Sequence, residues 1–314
     1  MSHGKQTQTN DNLSTLVIGT AAYDIIVLGE PGRIELAPGG GCRNIAENLA
    51  RLDVSTTLVT VVGDDDWGRE VARSCEDAGV HFVASTPVGG QTPRFVFVMD
   101  TTGEPTLQVM DDRGLFGLFN AELIADVGRA EIGPSAVVVS SDIQDDLFRA
   151  SSELAVASEC PLALSVAGPS GARKALDWLN KTSFLFLNRQ ELSDMLDVGL
   201  VEESAFEGAL ATVVAMGPEF VVCGADTWGL FFLAKHGSVQ HRRPLAIGNS
   251  GGSPLGCGDA LEAGVLREVL AGRCLSDAVQ FGLAAAALTA TTCRATLQSL
   301  SLNSVRTVLA SPSA

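Results

Sequence analysis

The stretch Gly251 to Gly264, GGSPLGCGDALEAG, joins a glycine-rich loop to an apolar helical pattern, with Gly256-Cys257-Gly258-Asp259 at its centre. Two glycines around one small residue let successive backbone N–H groups turn toward a common point, and a helix starting there adds the positive end of its dipole. Such a segment holds an anion. A carboxylate beside an anion cradle repels the ligand unless it has other work, and Asp259 is placed to take a proton from a neighbouring hydroxyl. That combination suits phosphoryl transfer, with amides for the developing charge and one base for the acceptor. Taken alone, the same residues fit equally well a turn followed by a helix that Asp259 caps.

Three further sets of polar residues carry chemistry at recognisable spacing. Asp24, Gly39-Gly40 and Asn44 would meet at the carboxyl edge of a parallel sheet, where an Asp and an Asn beside accessible backbone suit vicinal sugar hydroxyls. A plain loop at Gly39 to Gly41 and a helix-start Asn44 account for these residues too. Asn188-Arg189-Gln190-Glu191 follows the apolar run FLFL, and a carboxylate at Glu191 suits the waters of a hard cation. A helix cap with Glu three residues on gives the same pattern. Thr92 and Asp111 bracket a candidate hairpin, placed either to read a ligand or as ordinary solvated turn residues.

These residues need a scaffold that alternates strand and helix. Thr15 to Gly19 reads as a buried first strand. Ile25 to Leu28 and Ile34 to Ala37, around a corner at Pro31 to Arg33, read as short strands outside the main sheet. PGGGCRNIAEN at Pro38 to Asn48 leads into a helix with Ile45, Leu49 and Leu52 on one face. Thr57 to Val62 is the next strand, and Trp67 to Ala78 the next helix. Arg94 to Asp100 and Thr106 to Met110 flank Thr101 to Pro105 as a hairpin. With residues 25–38 it would form a small sheet, from about 25–38 and 92–111, that covers a site. The rhythm resumes with candidate strands at Ala136 to Val139, Leu162 to Val166, Phe184 to Leu187 and Phe220 to Cys223. Phe281 to Ala290 is too short to span a membrane and reads as a buried helix. Such alternation implies an α/β fold with a mostly parallel, doubly wound sheet across residues 15–314.

A chain of 314 residues with 46% hydrophobic content can bury a large core. Its net charge of −16 argues against nucleic acid and anionic membrane partners, and leaves any phosphate site dependent on local amides and a cation. Seven cysteines without C-x-x-C spacing and only four histidines point to free thiols in a reducing, cytoplasmic setting, with no metal held directly by such side chains. Residues 1–14 are polar, lack the apolar stretch of a secretory leader, and read as a disordered tail.

The G-C-G-D-A run resembles the second signature of the ribokinase-like (PfkB) carbohydrate and nucleoside kinases, T-G-A-G-D, with Leu255 in place of Thr. PGGGCRNIAENLARL resembles the first signature, in the P-G-G-V-G-R-N-I-A-x-N-L-A-x-L form found in pseudouridine kinases. Arg43, Asn44, Ile45, Ala46, Asn48 and Leu49 fit it, while Gly41-Cys42 replaces Val-Gly. VVGDDDWG at Val61 to Gly68 resembles the family's V-G-x-D-x-x-G, and the 188–191 run its N-x-x-E. Two other places depart from the pattern: Gly224-Ala225-Asp226 replaces T-x-G, and Ser165-Val166-Ala167-Gly168 replaces D-P-V-S.

The resemblance implies a ribokinase-like fold with a small β-sheet lid and an ATP- and Mg²⁺-dependent kinase, with a monovalent cation as a further candidate. Asp259 would be the general base and the Gly256, Cys257 and Gly258 amides the anion hole. Asp24, Gly39, Gly40 and Asn44 would bind the acceptor, Thr92 and Asp111 would read a base, and Asn188, Glu191 and Gly224 would lie around the nucleotide and its metal. The acceptor it implies is the 5′-hydroxyl of pseudouridine or a close nucleoside. A sugar kinase and a catalytically weak binding protein stand as alternatives, the latter motivated by Leu255 and by Gly224 to Asp226. The lid's open sheet edge also suggests a homodimer through the lid.

Overall fold

The computed structural model describes residues 13–29, 32–112, 114–130, 133–245 and 252–311. Most of the expected tail, with Pro31 of the lid corner and Gly251, lies outside the described residues. Leu13 is already buried and Ser14 opens the first strand, so order begins slightly earlier than expected.

In chain order the strands are β1 (Ser14–Ile18), β2 (Ala22–Leu28), β3 (Arg33–Gly39), β4 (Ser55–Val61), β5 (His81–Ser85), β6 (Arg94–Met99), β7 (Pro105–Asp111), β8 (Ala136–Ser140), β9 (Leu162–Ser165), β10 (Phe184–Asn188), β11 (Phe220–Gly224), β12 (Leu230–Ala234) and β13 (Gln240–Arg242). The helices are α1 (Gly41–Arg51), α2 (Asp66–Asp77), α3 (Ala121–Ala130), α4 (Asp145–Ala157), α5 (Gly168–Ala175), α6 (Arg189–Leu196), α7 (Ala205–Ala215), α8 (Cys257–Leu270), α9 (Leu275–Thr289) and α10 (Leu302–Leu309). Three of the strands, β5, β12 and β13, go beyond the sequence-based expectation. β5 and β13 are short, only partly buried edge segments with weak apolar patterning.

The large sheet runs β13-β12-β11-β10-β9-β8-β1-β4-β5, parallel except for β12 and β13. Its strand order reverses at β1, with β4 on one side and β8 on the other. Parallel strands covered on both faces must be apolar throughout, which is why LVI in β1 and VVV in β8 are wholly buried. Alternate residues then feed opposite cores. Leu16 and Ile18 join Leu147, Leu192 and Phe206 of α4, α6 and α7. Val17 joins Ile45, Leu49, Ala263 and Ala284 of α1, α8 and α9. Leu49 is fully buried, so Leu49→Ala would cost ~2–5 kcal/mol and loosen α1, the helix that carries Asn44.

The small sheet runs β3-β2-β6-β7, with β2 and β6 parallel and both outer pairs antiparallel. Asp24 was expected at a strand end but lies inside β2, paired with Ala37 and Phe95. The period-2 pleat turns Asp24, Phe95 and Phe97 to one face. The other face carries Ile25, Val27, Ile34, Leu36, Val96, Val98, Leu107 and Val109 in register.

Candidate active site

The carboxyl ends of β9, β10 and β11 deliver Ser165, Asn188 and Gly224 to one edge of the sheet, and α8 starts above them. Together they line a cavity of about 620 Å³ with Glu191, Asp259 and Glu262. A second cavity, about 410 Å³, lies under the lid between Asp24, Gly40, Asn44, Phe95, Phe97 and Leu255. Asp259 lines both.

Local sequence explains how each wall forms. Gly256 caps α8 in the left-handed region at φ 71°, and a Cβ there would fall 1.8 Å from the Ala295 carbonyl oxygen, so only glycine fits. A Cβ on Gly258 would meet nothing within 4 Å, which leaves its backbone open to the cavities. The Cys257 amide donates to Pro254 O at 3.2 Å within the turn. Under the lid, a Cβ on Gly39 would lie 2.1 Å from an Asp24 carboxylate oxygen, so Gly39 makes the room that Asp24 fills.

Asn44 donates from Nδ2 to Asp259 Oδ2 at 2.9 Å, and its own Oδ1 accepts from Arg43 Nη1 at 3.1 Å. Arg43 is buried against Glu47 and also donates to Pro38 O and Ser74 Oγ. This network fixes the Asn44 amide so that its NH₂ faces Asp259. Burial lifts the Asp259 carboxyl to about 6, while the Asn44 hydrogen bond and the Arg43 charge pull the other way. Asp24 is raised to about 7, again mainly by burial, with Arg43 opposing and the Asp259 charge adding. Its Oδ1 is buried without a hydrogen-bond partner, so it is free for a ligand hydroxyl.

Asn188 and Glu191 form a reciprocal capping box. Asn188 Oδ1 accepts the Glu191 amide at 2.9 Å, and Glu191 Oε2 accepts the Asn188 amide at 2.8 Å. Glu191 Oε1 also accepts the Gly168 amide at 3.0 Å. Burial raises its carboxyl against these two amides. The capping and ligand-facing readings of N-x-x-E thus coexist, since both residues line the larger cavity. Asp65 caps α2 by accepting the Gly68 amide at 2.8 Å, in line with a capping role for the acids of Val61 to Gly68.

Two expected base-reading residues sit elsewhere. Thr92 is fully buried, donates its hydroxyl to Asp65 Oδ1 at 2.6 Å and accepts the Gly63 amide at 3.0 Å. Its hydroxyl ties the start of β6 to the cap of α2, away from the acceptor cavity. Asp111 pairs with Arg94 at 3.4 Å, across the register at the end of the hairpin, and likewise does not line that cavity. Asp226, the acid in the run that replaces T-x-G, is exposed and paired with Arg189 at 2.9 Å. Conversely, sequence reasoning passed over Phe95, Phe97 and Glu262. The alternating phenylalanines of RFVFVM were the available signal for the first two, because period 2 in a lid strand sends both to one side.

The profile described as "pfkB family carbohydrate kinase" matches residues 13–301. The chain belongs to the PfkB family of carbohydrate kinases. Among its relatives, the pseudouridine kinase of Escherichia coli (strain K12) is 25% identical over 85% of this chain and 87% of that protein. A carbohydrate kinase from Agrobacterium tumefaciens superposes with a TM-score of 0.77 at 25% identity, over 95% of this chain and 97% of the other. A ribokinase from Arabidopsis thaliana, solved with ribose and ATP, gives a TM-score of 0.77 at 19% identity, over 95% and 99%. The ribokinase-like fold and small-sheet lid are therefore those of the family. PfkB kinases transfer a phosphoryl group from ATP to a hydroxyl group of a small molecule with the help of a divalent metal.

In this member of the PfkB family the cavity at the β9–β11 edge is strongly acidic. Its lining includes Glu191, Asp259 and Glu262 and, among the described residues, no Lys or Arg, so a polyphosphate there needs a cation as company. Among the described residues no group of three acidic, His or Cys side chains is placed to hold a metal ion. No helix of the described residues is long and apolar enough to cross a membrane.

Proposed function

We propose that this protein is an ATP- and Mg²⁺-dependent kinase acting on the 5′-hydroxyl of pseudouridine or a close nucleoside, in the cytoplasm. The observation that carries this reading is the position of Asp259. It is the residue where the cavity under the lid meets the cavity at the β9–β11 edge, and it is already hydrogen-bonded by Asn44. A hydroxyl entering from the lid side meets a carboxylate with its protonation midpoint at about 6, mostly ionised at neutral pH and still basic enough to accept a proton.

In the proposed reaction Asp24 accepts hydrogen bonds from ribose hydroxyls through its unpartnered Oδ1. Asn44 orients Asp259, which takes the proton of the attacking hydroxyl. The Gly256 and Gly258 amides hold the phosphoryl oxygens, the Cys257 amide being engaged by Pro254. Mg²⁺ supplies charge neutralisation for the phosphates, with Asn188 and Glu191 as the residues that would hold its surroundings. Phe95 and Phe97 lie nearly parallel, centroids 5.9 Å apart, and line the acceptor cavity. Aromatic faces bind a nucleobase by stacking, whereas a bare sugar gains less from them. The likeness to a pseudouridine kinase supports the same choice.

One observation favours a plain sugar acceptor instead: neither Thr92 nor Asp111 reaches the cavity to read a base edge. ADP release with Mg-ATP and pseudouridine, uridine, ribose, fructose or no acceptor separates the readings. Turnover selective for pseudouridine is expected, with Asp259→Asn slowing it by ~10²–10⁴-fold. Turnover with sugars alone would refute the nucleoside assignment. If every acceptor were silent and a nucleoside still raised the melting temperature, the protein would be a binder without transfer activity.

The reading extends to a dimer. The lid's outer face exposes Ile34 at 61%, Leu36 at 45%, Leu107 at 53% and Val109 at 47%. The lid of a second copy would cover this aliphatic face. Light scattering that returned a monomer at micromolar concentration would dismiss it.

A further inference from the structure

Glu262 stands one helical turn beyond Asp259 on α8, and the chemistry above makes no use of it. It is 3% exposed, its Oε1 has no hydrogen-bond partner, and it lines the larger cavity with Glu191 and Ser165. Burial raises the Glu262 carboxyl to about 8, and the Ser165 hydroxyl, which lines the same cavity, works against that rise. Burying a carboxylate with an empty lone-pair site costs several kcal/mol unless a ligand fills it, and a side chain that merely packed would be apolar here, as Leu266 is one turn further on.

Ser165 occupies the end of β9, where the resembling D-P-V-S run begins with a carboxylate. In this chain that acid is gone from the strand, and an acid reaches the same spot from the facing helix. Glu191 has only part of its acceptor capacity left, since each of its oxygens already accepts a backbone amide. Among the described residues the cavity lining has no cationic side chain, so a multivalent cation is what would let an anionic ligand sit beside ionised carboxylates there.

We propose that Glu262 carries the carboxylate function displaced from the end of β9, and that it holds the water shell of a hard divalent cation bound with the nucleotide, alongside Glu191. The proposal rests on the ATP-dependent reading above. Oxygen ligands and a polar cavity favour Mg²⁺ or Mn²⁺ over softer metals. Ser165 then acts by fixing the Glu262 rotamer, leaving Oε1 toward the cavity.

The test titrates the full-length protein with Mn²⁺ in the presence of a non-hydrolysable β,γ-imido analogue of ATP and reads free Mn²⁺ by electron paramagnetic resonance. Glu262→Gln is expected to weaken Mn²⁺ binding in the complex by ~10–100-fold while its melting curve stays cooperative. The double variant Ser165→Asp/Glu262→Ala returns the acid to the strand and should recover most of that affinity. Unchanged Mn²⁺ affinity in Glu262→Gln overturns the proposal. So does tighter analogue binding with the same metal dependence, which would make Glu262 a merely repulsive group. Failure of the unaltered protein to bind Mn²⁺ with the analogue would instead sink the kinase reading, so the two failures are distinct.

Discussion

Removing the Asn44 side chain tests the electrostatics of the site most directly. Its Nδ2 donates to Asp259 Oδ2 at 2.9 Å, and burial has already raised the Asp259 carboxyl to about 6. A hydrogen bond to a charged group is worth ~1.5–3 kcal/mol, and one pKa unit corresponds to ~1.4 kcal/mol. Asn44→Ala removes a bond that favours the ionised form, so the carboxyl must rise. The shift is ~1 unit, the lower end of the range, because water entering the cavity replaces part of the bond. A base works only when deprotonated, so the acid limb of kcat/KM should move upward from near pH 6 to near pH 7. The assay is ADP release across about pH 5–9, with kcat and KM taken separately because Asn44 also lines the acceptor cavity. Asp24 titrates close by at about 7, so the profile is repeated in Asp24→Asn to remove that second titration; Asp24 is mostly neutral where Asp259 titrates, and the Asp259 limb should stay near pH 6. An unmoved acid limb in Asn44→Ala, whatever the change in KM, would refute Asp259 as the titrating base.

Gly39→Ala should raise KM for the acceptor more than it lowers kcat, because its methyl group would displace the Asp24 carboxylate that it meets at 2.1 Å; equal binding in calorimetry would contradict this. Thr92→Ala should leave acceptor selectivity intact and lower stability by ~1–3 kcal/mol, since it strands the Gly63 amide and takes one hydrogen bond from Asp65; a selectivity change at unaltered Tm would restore it to base reading. The ligand-free protein should melt higher near pH 5.5 than near pH 8. Asp259 at about 6, Asp24 at about 7 and Glu262 at about 8 bind protons more tightly folded than unfolded, where carboxylates titrate near ~4. Their stabilising contribution is full below that range and fades as pH rises through the folded values. A Tm rising toward pH 8 would contradict the three buried assignments.

What the sequence disclosed was whatever is local. The PGGGCRN run, the hairpin around Gly103 and the G-C-G-D loop are each defined within a few residues, so their type and order were readable, as was the alternation that builds the parallel sheet. Thr92 could not be placed from the sequence, because a polar residue at a strand start looks the same whether it faces a ligand or ties a hinge. Its true partner, Asp65, lies 27 residues away. Asp226 looked harmful to phosphate binding for a similar reason, since its neutralising partner Arg189 comes from another strand–helix junction. Glu262 gave no signal at all. One acid in an alanine- and leucine-containing helix reads as a solvated face, and only the packing of α8 over the β9–β11 edge buries it.

The order of strands in the large sheet also has a consequence for synthesis on the ribosome. β1 emerges first and becomes an interior strand; β4 and β5 extend the sheet on one side, and β8 to β13 then join the other side in the order they are made. No strand has to be inserted between two others already paired, since β8 docks on the edge of β1 that β4 leaves open. The catalytic half arrives late. Asp259 follows its partner Asn44 by 215 residues, which at ~5–20 residues per second is a wait of ~10–40 s. An unfinished chain can therefore own the lid and Asn44 yet lack Asp259, and under the proposed function transfer activity would begin only when α8 comes back to lie against α1.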